Sequence, residues 1–187
     1  MGRETKIGIQ DARHLAAKQN VENPKNGSLM NAEPALERDL PEILALQRLA
    51  FECEARALND WTIQPMTETL EELRQEFFAG PVLKICEPEN GRIIASIRAH
   101  EENGTLYLAK LIVHPEFRRR GLASRLLREI QTRIPHRRIE LFTRADNAGN
   151  VALYLSAGFR IFLEKDFTEN LRMAYFEKTA EETDALE

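Results

Sequence analysis

Hydrophobic positions take on helical spacing soon after Leu40. Ile43, Leu44, Leu46, Gln47, Ala50 and Phe51 fall on one stripe, preceded by Asp39-Leu40-Pro41-Glu42. Asp39 suits an N-cap, Glu42 lies three residues on, and Pro41 is tolerated in a first turn whose N–H groups have no intrahelical partner. A second amphipathic helix is expected after Pro65-Met66-Thr67, capped by Thr67 or Thr69 and burying Leu70, Leu73 and Phe77; Gly80-Pro81 stops it. The period then drops to two. Residues 82–86, 92–100 and 105–113 read as strands joined by Asn90-Gly91 and Asn103-Gly104, pairs that tolerate positive φ and so favour tight hairpins. An antiparallel meander is expected.

After His114-Pro115 the helical period returns over residues 121–133, with Leu122, Leu126, Leu127 and Ile130 inward. A strand at 139–143, a helix at 147–157 closed by Gly158, and strands at 159–164 and 171–176 complete the pattern. The order ααβββαβαββ mixes a meander with one β-α-β crossover, which predicts an α/β fold with a mixed, mostly antiparallel sheet. Residues 1–33 have no sustained period and contain a turn-forming cluster, Asn23-Pro24-Lys25-Asn26-Gly27-Ser28. They read as a flexible extension, and 179–187 as an acidic tail, around a domain at 34–178.

Composition narrows the function. The 187 residues carry 26 basic and 30 acidic side chains, a net charge of −4, which suits a general nucleic-acid binder poorly. Two cysteines, Cys53 and Cys86, are too few for a disulfide framework and lack metal-ligand spacing, so they read as packing residues and no metal is expected. No apolar run is long enough to cross a bilayer and residues 1–29 carry no apolar signal core, so no membrane partner and a cytoplasmic address are expected.

Charge is not evenly spread. Between Lys110 and Arg138 stand nine Lys or Arg against Glu116 and Glu129, a local excess suited to a small polyanion. Within it a strand ends, a short loop turns, and a helix begins at Gly121. Helix-start N–H groups lack intrahelical acceptors and converge where the helix dipole is positive, and Gly121 and Ala123 lack the bulk to keep a ligand away. A pyrophosphate requires this arrangement.

These residues resemble the GNAT family of acetyl-CoA-dependent N-acetyltransferases. Arg118-x-x-Gly121-x-Ala123 is similar to its Q/R-x-x-G-x-G/A motif. Asp146-Asn147, Asn150, Ala152, Leu153-Tyr154 and Ala157-Gly158-Phe159 are similar to its second motif, in the family's order and at its separation. The likeness implies the GNAT fold, with about four helices flanking the sheet, and acetyl-CoA as co-substrate. Leu111, Ile112 and Val113 would pair with the pantetheine arm. Arg118, Arg119, Arg120, Gly121, Leu122, Ala123 and Ser124 would surround the pyrophosphate, and Asn147 and Asn150 would cap the next helix or bond the coenzyme. Tyr154 would protonate the departing thiolate.

The general base departs from the family pattern. Phe142 occupies the place where some members have Glu, and the strand 105–113 contains no carboxylate. Glu140 is the first choice, on the same strand face, with Glu54, Glu101, Glu102 and His100 as further candidates. Trp61 falls in the inter-helix loop that helps line the acceptor site in the family. The expected activity is acetyl transfer to a primary amine, either a small molecule or a peptide N-terminus or lysine, by direct attack in a ternary complex; the family often dimerises. A non-catalytic acyl-CoA-binding protein of the same fold is the alternative.

Overall fold

The computed structural model describes residues 30–168 and 171–179; most of the expected extension and tail therefore lies outside the described residues. Seven strands form one sheet in the order β1-β2-β3-β4-β5-β7-β6. They are β1 (Ala32–Pro34), β2 (Val82–Cys86), β3 (Ile93–Glu102), β4 (Thr105–Val113), β5 (Arg138–Arg144), β6 (Arg160–Thr168) and β7 (Leu171–Thr179). Helices α1 (Leu40–Leu58), α2 (Gln64–Thr67) and α3 (Leu70–Ala79) precede β2; α4 (Leu122–Gln131) and α5 (Ala148–Ser156) flank β5. Among the described residues, no helix is long and apolar enough to cross a membrane.

The expected meander is present, and both hairpin turns use left-handed backbone, at Gly91 (φ 75°) and at Asn103-Gly104 (φ 53° and 84°). Two features were not legible in the period. Ala32–Pro34, across the expected boundary between extension and domain, pairs antiparallel with β2, and Gln64–Thr67 forms a single helical turn. Thr69 closes a capping box with Glu72, as expected. Asp39 does not cap α1: its carboxylate accepts the Leu36 N–H at 2.7 Å and pairs with Lys84 at 2.7 Å, while Glu42 accepts the Ile93 N–H at 2.7 Å. Both carboxylates are recruited by β-strand neighbours that only tertiary folding brings near.

Two cores cover opposite faces of the sheet. One joins α4 and Tyr154 of α5 to Ile97, Ala99, Leu106, Leu141 and Phe176; the other joins α1 and α3 to Val82, Ile93 and Ile112. Alternation along β3 is the cause, since Arg98 faces α1 and α3 while its neighbours Ile97 and Ala99 face α4.

The sheet opens in its middle. β4 and β5 run parallel but pair only at Thr105–Arg138, Leu106–Ile139 and Tyr107–Glu140, although both strands continue. Opposite Ile97 of β3, β4 places two residues, Lys110 and Leu111, and Lys110 has φ 50°. A bulge of this kind bends its strand, and here it carries the end of β4 away from β5. The gap positions the site.

Candidate active site

A cleft of ≈ 730 Å³ fills the gap. Its floor is the end of β4, one wall is the start of α4, another is the start of α5, and α1 closes it with Ala50, Phe51, Cys53, Glu54 and Ala57. Every residue assigned to the coenzyme from sequence lines it except Arg120. Arg120 turns back, its guanidinium over the Phe117 ring at 4.8 Å and bonded to the Glu116 carbonyl. Arg118 ties the loop to α1 by donating to the Ala50 carbonyl at 3.1 Å.

Gly121 is the N-cap of α4 at φ 78°, and the first intrahelical bond runs from Arg125 N–H to its carbonyl. The amides of the first turn are thus free of intrahelical acceptors. A Cβ at Gly121 would meet nothing within 4 Å, because it would point into the cleft. The donor set and the open approach fit a diphosphate. Gly121→Val should therefore weaken acetyl-CoA binding by about tenfold or more, through both strain at positive φ and lost space. Calorimetric titration checks this, and unchanged affinity would remove the loop assignment.

The two asparagines are anchored within the fold. Asn147 caps α5, its Oδ1 accepting the Asn150 N–H at 3.1 Å, and Asn150 Nδ2 donates to Thr143 Oγ1 at 3.1 Å. Arg144 at the end of β5 is held by Asp146 through two bonds of 2.9 and 2.5 Å.

The acid and base candidates end up elsewhere than the sequence suggested. Glu140 sits in the closed part of the sheet, opposite Tyr107, with its carboxylate 2.6 Å from Arg138; it does not reach the cleft. Tyr154 is 6% exposed and lies behind the cleft wall, packed on Phe176 (ring centroids 5.3 Å) and Phe159 (6.2 Å). Burial pushes its phenol well above the ordinary value, and the nearby Glu54 charge adds to the shift. Its neighbours Asn150 and Leu153 do line the cleft.

Of the base candidates named from sequence, Glu54 lines the cleft; Asp146 lines it too but is held by Arg144. Burial raises the Glu54 pKa, the Asp146 carboxylate adds to this, and Arg144 and Lys110 oppose it. Its signal in the sequence was faint: position 54 follows the stripe of α1 by one turn from Ala50. Cys53 is exposed and borders the cleft, contrary to its reading as a packing residue; Cys86 is half-buried. Trp61 is exposed, under the Arg56 guanidinium at 6.0 Å, and does not line the cleft. Among the described residues no group of His, Cys, Asp or Glu could hold a metal ion.

The site is thus an opened parallel strand pair with a helix N-terminus at its mouth. The acetyltransferase (GNAT) family matches residues 40–159, so the chain belongs to that family. It resembles the ribosomal-protein-S18-alanine N-acetyltransferase of Escherichia coli with a TM-score of 0.64 at 19% identity, over 80% of this chain and 92% of that one. A phosphinothricin acetyltransferase of Sinorhizobium meliloti, solved with acetyl-CoA, gives 0.64 at 18% identity over 80% and 87%. The UPF0157 protein YqkA of Bacillus subtilis is 30% identical over 125 residues, 64% of this chain; the chain spans 34% of that relative's length.

Proposed function

We propose that this chain binds acetyl-CoA in the cleft between β4 and β5 and transfers the acetyl group directly to a primary amine. The observation that carries the proposal is the union, in one cleft, of an unobstructed helix N-terminus at Gly121 with a half-buried carboxylate, Glu54, on the facing helix. The unpaired edge of β4 offers main-chain groups to the pantetheine arm, and amides from Arg119 to Ser124 receive the diphosphate. The Leu111 N–H polarises the acetyl carbonyl and stabilises the oxyanion.

Glu54 replaces Glu140 as the base. Its carboxylate takes the proton of the incoming ammonium or of the attacking nitrogen; the new C–N bond forms at the carbonyl carbon, and the C–S bond then breaks. Tyr154, held protonated by burial behind the wall that its neighbours Asn150 and Leu153 form, is the donor that the family's second motif assigns to the leaving thiolate. Tyr154→Phe keeps the ring packing, so it should fold normally and bind acetyl-CoA as before, while thiol release falls by about tenfold or more. Unchanged turnover under conditions where chemistry limits the rate would remove Tyr154 from the mechanism.

The position of Tyr154 behind the wall favours a second reading, an acyl-CoA-binding module without turnover. Free-thiol release with a panel of amines separates the two. Release above the hydrolytic background supports transfer, whereas tight coenzyme binding with no release for any amine supports the module.

A further inference from the structure

Where β4 bulges, a buried polar cluster lies outside the cleft lining and adjoins it through Lys110; the transfer chemistry does not use it. Arg98 of β3 is 3% exposed and Glu68, between α2 and α3, is 1% exposed; they meet through two bonds of 3.0 and 2.8 Å. Glu76 of α3 takes a further Arg98 N–H at 2.6 Å, and Gln47 of α1 bonds both Arg98 and Glu68. Gln64 donates to Glu68 at 3.2 Å and accepts from the Lys110 ammonium. The carboxylates of Glu68 and Glu76 are thus committed to Arg98. Among the described residues Lys110 has no ion-pair partner, only the Gln64 carbonyl oxygen and the ring of Phe51, 5.9 Å away, which lines the cleft.

A sequestered ammonium without a counter-ion is costly unless an anion arrives to meet it. Its neighbour Leu111 lines the cleft, as do Phe51, whose ring its ammonium faces, and Glu54, about one turn along α1 from Phe51. Arg144, the other cation near Glu54, is already neutralised by Asp146. Among the described residues, the cleft lining thus holds one carboxylate without an ion pair, Glu54, and beside the lining stands one ammonium without an ion pair, Lys110.

We infer that the acceptor is a small dipolar amine, an amino-acid-like molecule whose amine meets Glu54 and whose own acid group pairs with Lys110, held in place by Gln64. This rests on the reading of the cleft as an acetyl-transfer site. Burial pushes the Lys110 pKa down and the Arg98 charge adds to this, against the carboxylates of Glu68, Glu76 and Glu54, in keeping with a charge that the fold compensates only in part. An acid group on the acceptor supplies that compensation. A polyamine places a second cation beside Lys110 and is disfavoured.

Matched acceptors test the inference: an α-amino acid, its carboxamide and its aminophosphonic analogue, each assayed for thiol release with the wild type, Lys110→Gln and Lys110→Arg. The wild type should prefer the acids over the carboxamide by about tenfold or more in kcat/KM, mainly through KM. The ratio of carboxylate to phosphonate rates identifies which acid the site accepts. Lys110→Gln should bring the acid-to-amide ratio close to unity, and Lys110→Arg should restore part of it. The Gln variant removes a half-buried charge that lacks an ion pair, so its Tm should hold or rise, and the ratio is internally controlled within each protein. Equal rates on acid and amide in the wild type overturn the inference alone. Coenzyme binding without thiol release for any amine overturns the transfer reading, and this inference with it.

Discussion

Glu54→Gln should lower turnover by about 10²- to 10⁴-fold while leaving acetyl-CoA affinity nearly unchanged, because the carboxylate acts on the acceptor proton and not on the coenzyme. The pH profile gives the sharper reading. Burial favours the neutral form of Glu54, raising its pKa above the ordinary 4.5. A base works only when ionised, so kcat/KM should fall as pH drops through that raised value, displacing the acid limb upward from where an exposed glutamate would put it. In Glu54→Gln the limb should vanish and leave a low, flat rate on that side. A variant that keeps both the rate and the limb would return the base role to solvent.

Arg98→Met should cost about 3–5 kcal/mol of stability, since it leaves Glu68 buried without its cation. Burial alone would raise the Glu68 pKa, but the bonds and charge of Arg98 outweigh it and hold the carboxyl below 4.5. With the folded value depressed, the stabilisation is present above the unfolded value and is lost as pH falls through the folded one. Wild-type stability should therefore decline on acidification through that window, and Arg98→Met should show little of that decline. Replacing both partners, Arg98→Met with Glu68→Met, should recover much of the loss, because an apolar pair leaves no orphaned charge. Denaturant titrations across pH measure all three proteins. If the single variant is as stable as the wild type, the cluster is not holding the segment around α2 to the sheet.

That cluster was invisible in the sequence for a physical reason. Gln47, Glu68, Glu76 and Arg98 lie on α1, beside α2, on α3 and on β3, and at a distance of 21 to 51 positions along the chain each would pass for a solvated polar residue. The stripe of α1 included Gln47 among its apolar positions, but periodicity could not name its partner.

The glycine-initiated helix, by contrast, was legible, because its chemistry is local. Free amides at a helix start, and a residue without Cβ to expose them, are properties of consecutive positions. The same holds for the capping box at Thr69 and Glu72 and for the two Asn-Gly turns. Glu140 shows where locality ends. It shares a strand face with the expected position of the base, yet whether that face lines a cleft depends on where β4 leaves β5. Pairing persists through Tyr107 and Glu140 and ceases beyond them, so Glu140 lies in closed sheet and ion-pairs with Arg138.

The amino-acid order by itself determined most of the elements, their sequence along the chain, the family and the glycine-initiated helix start at the cleft, because spacing, turn chemistry and helix-start amides act over a few residues. Tertiary structure alone decided the opposite side of the cleft. There the bulge at Lys110 opens the sheet, α1 brings Glu54 across from β4, and Arg98 consumes the carboxylates that Lys110 would otherwise pair with. Each of these depends on side chains distant in sequence competing for the same few ångströms, and that competition is settled only when the chain has folded.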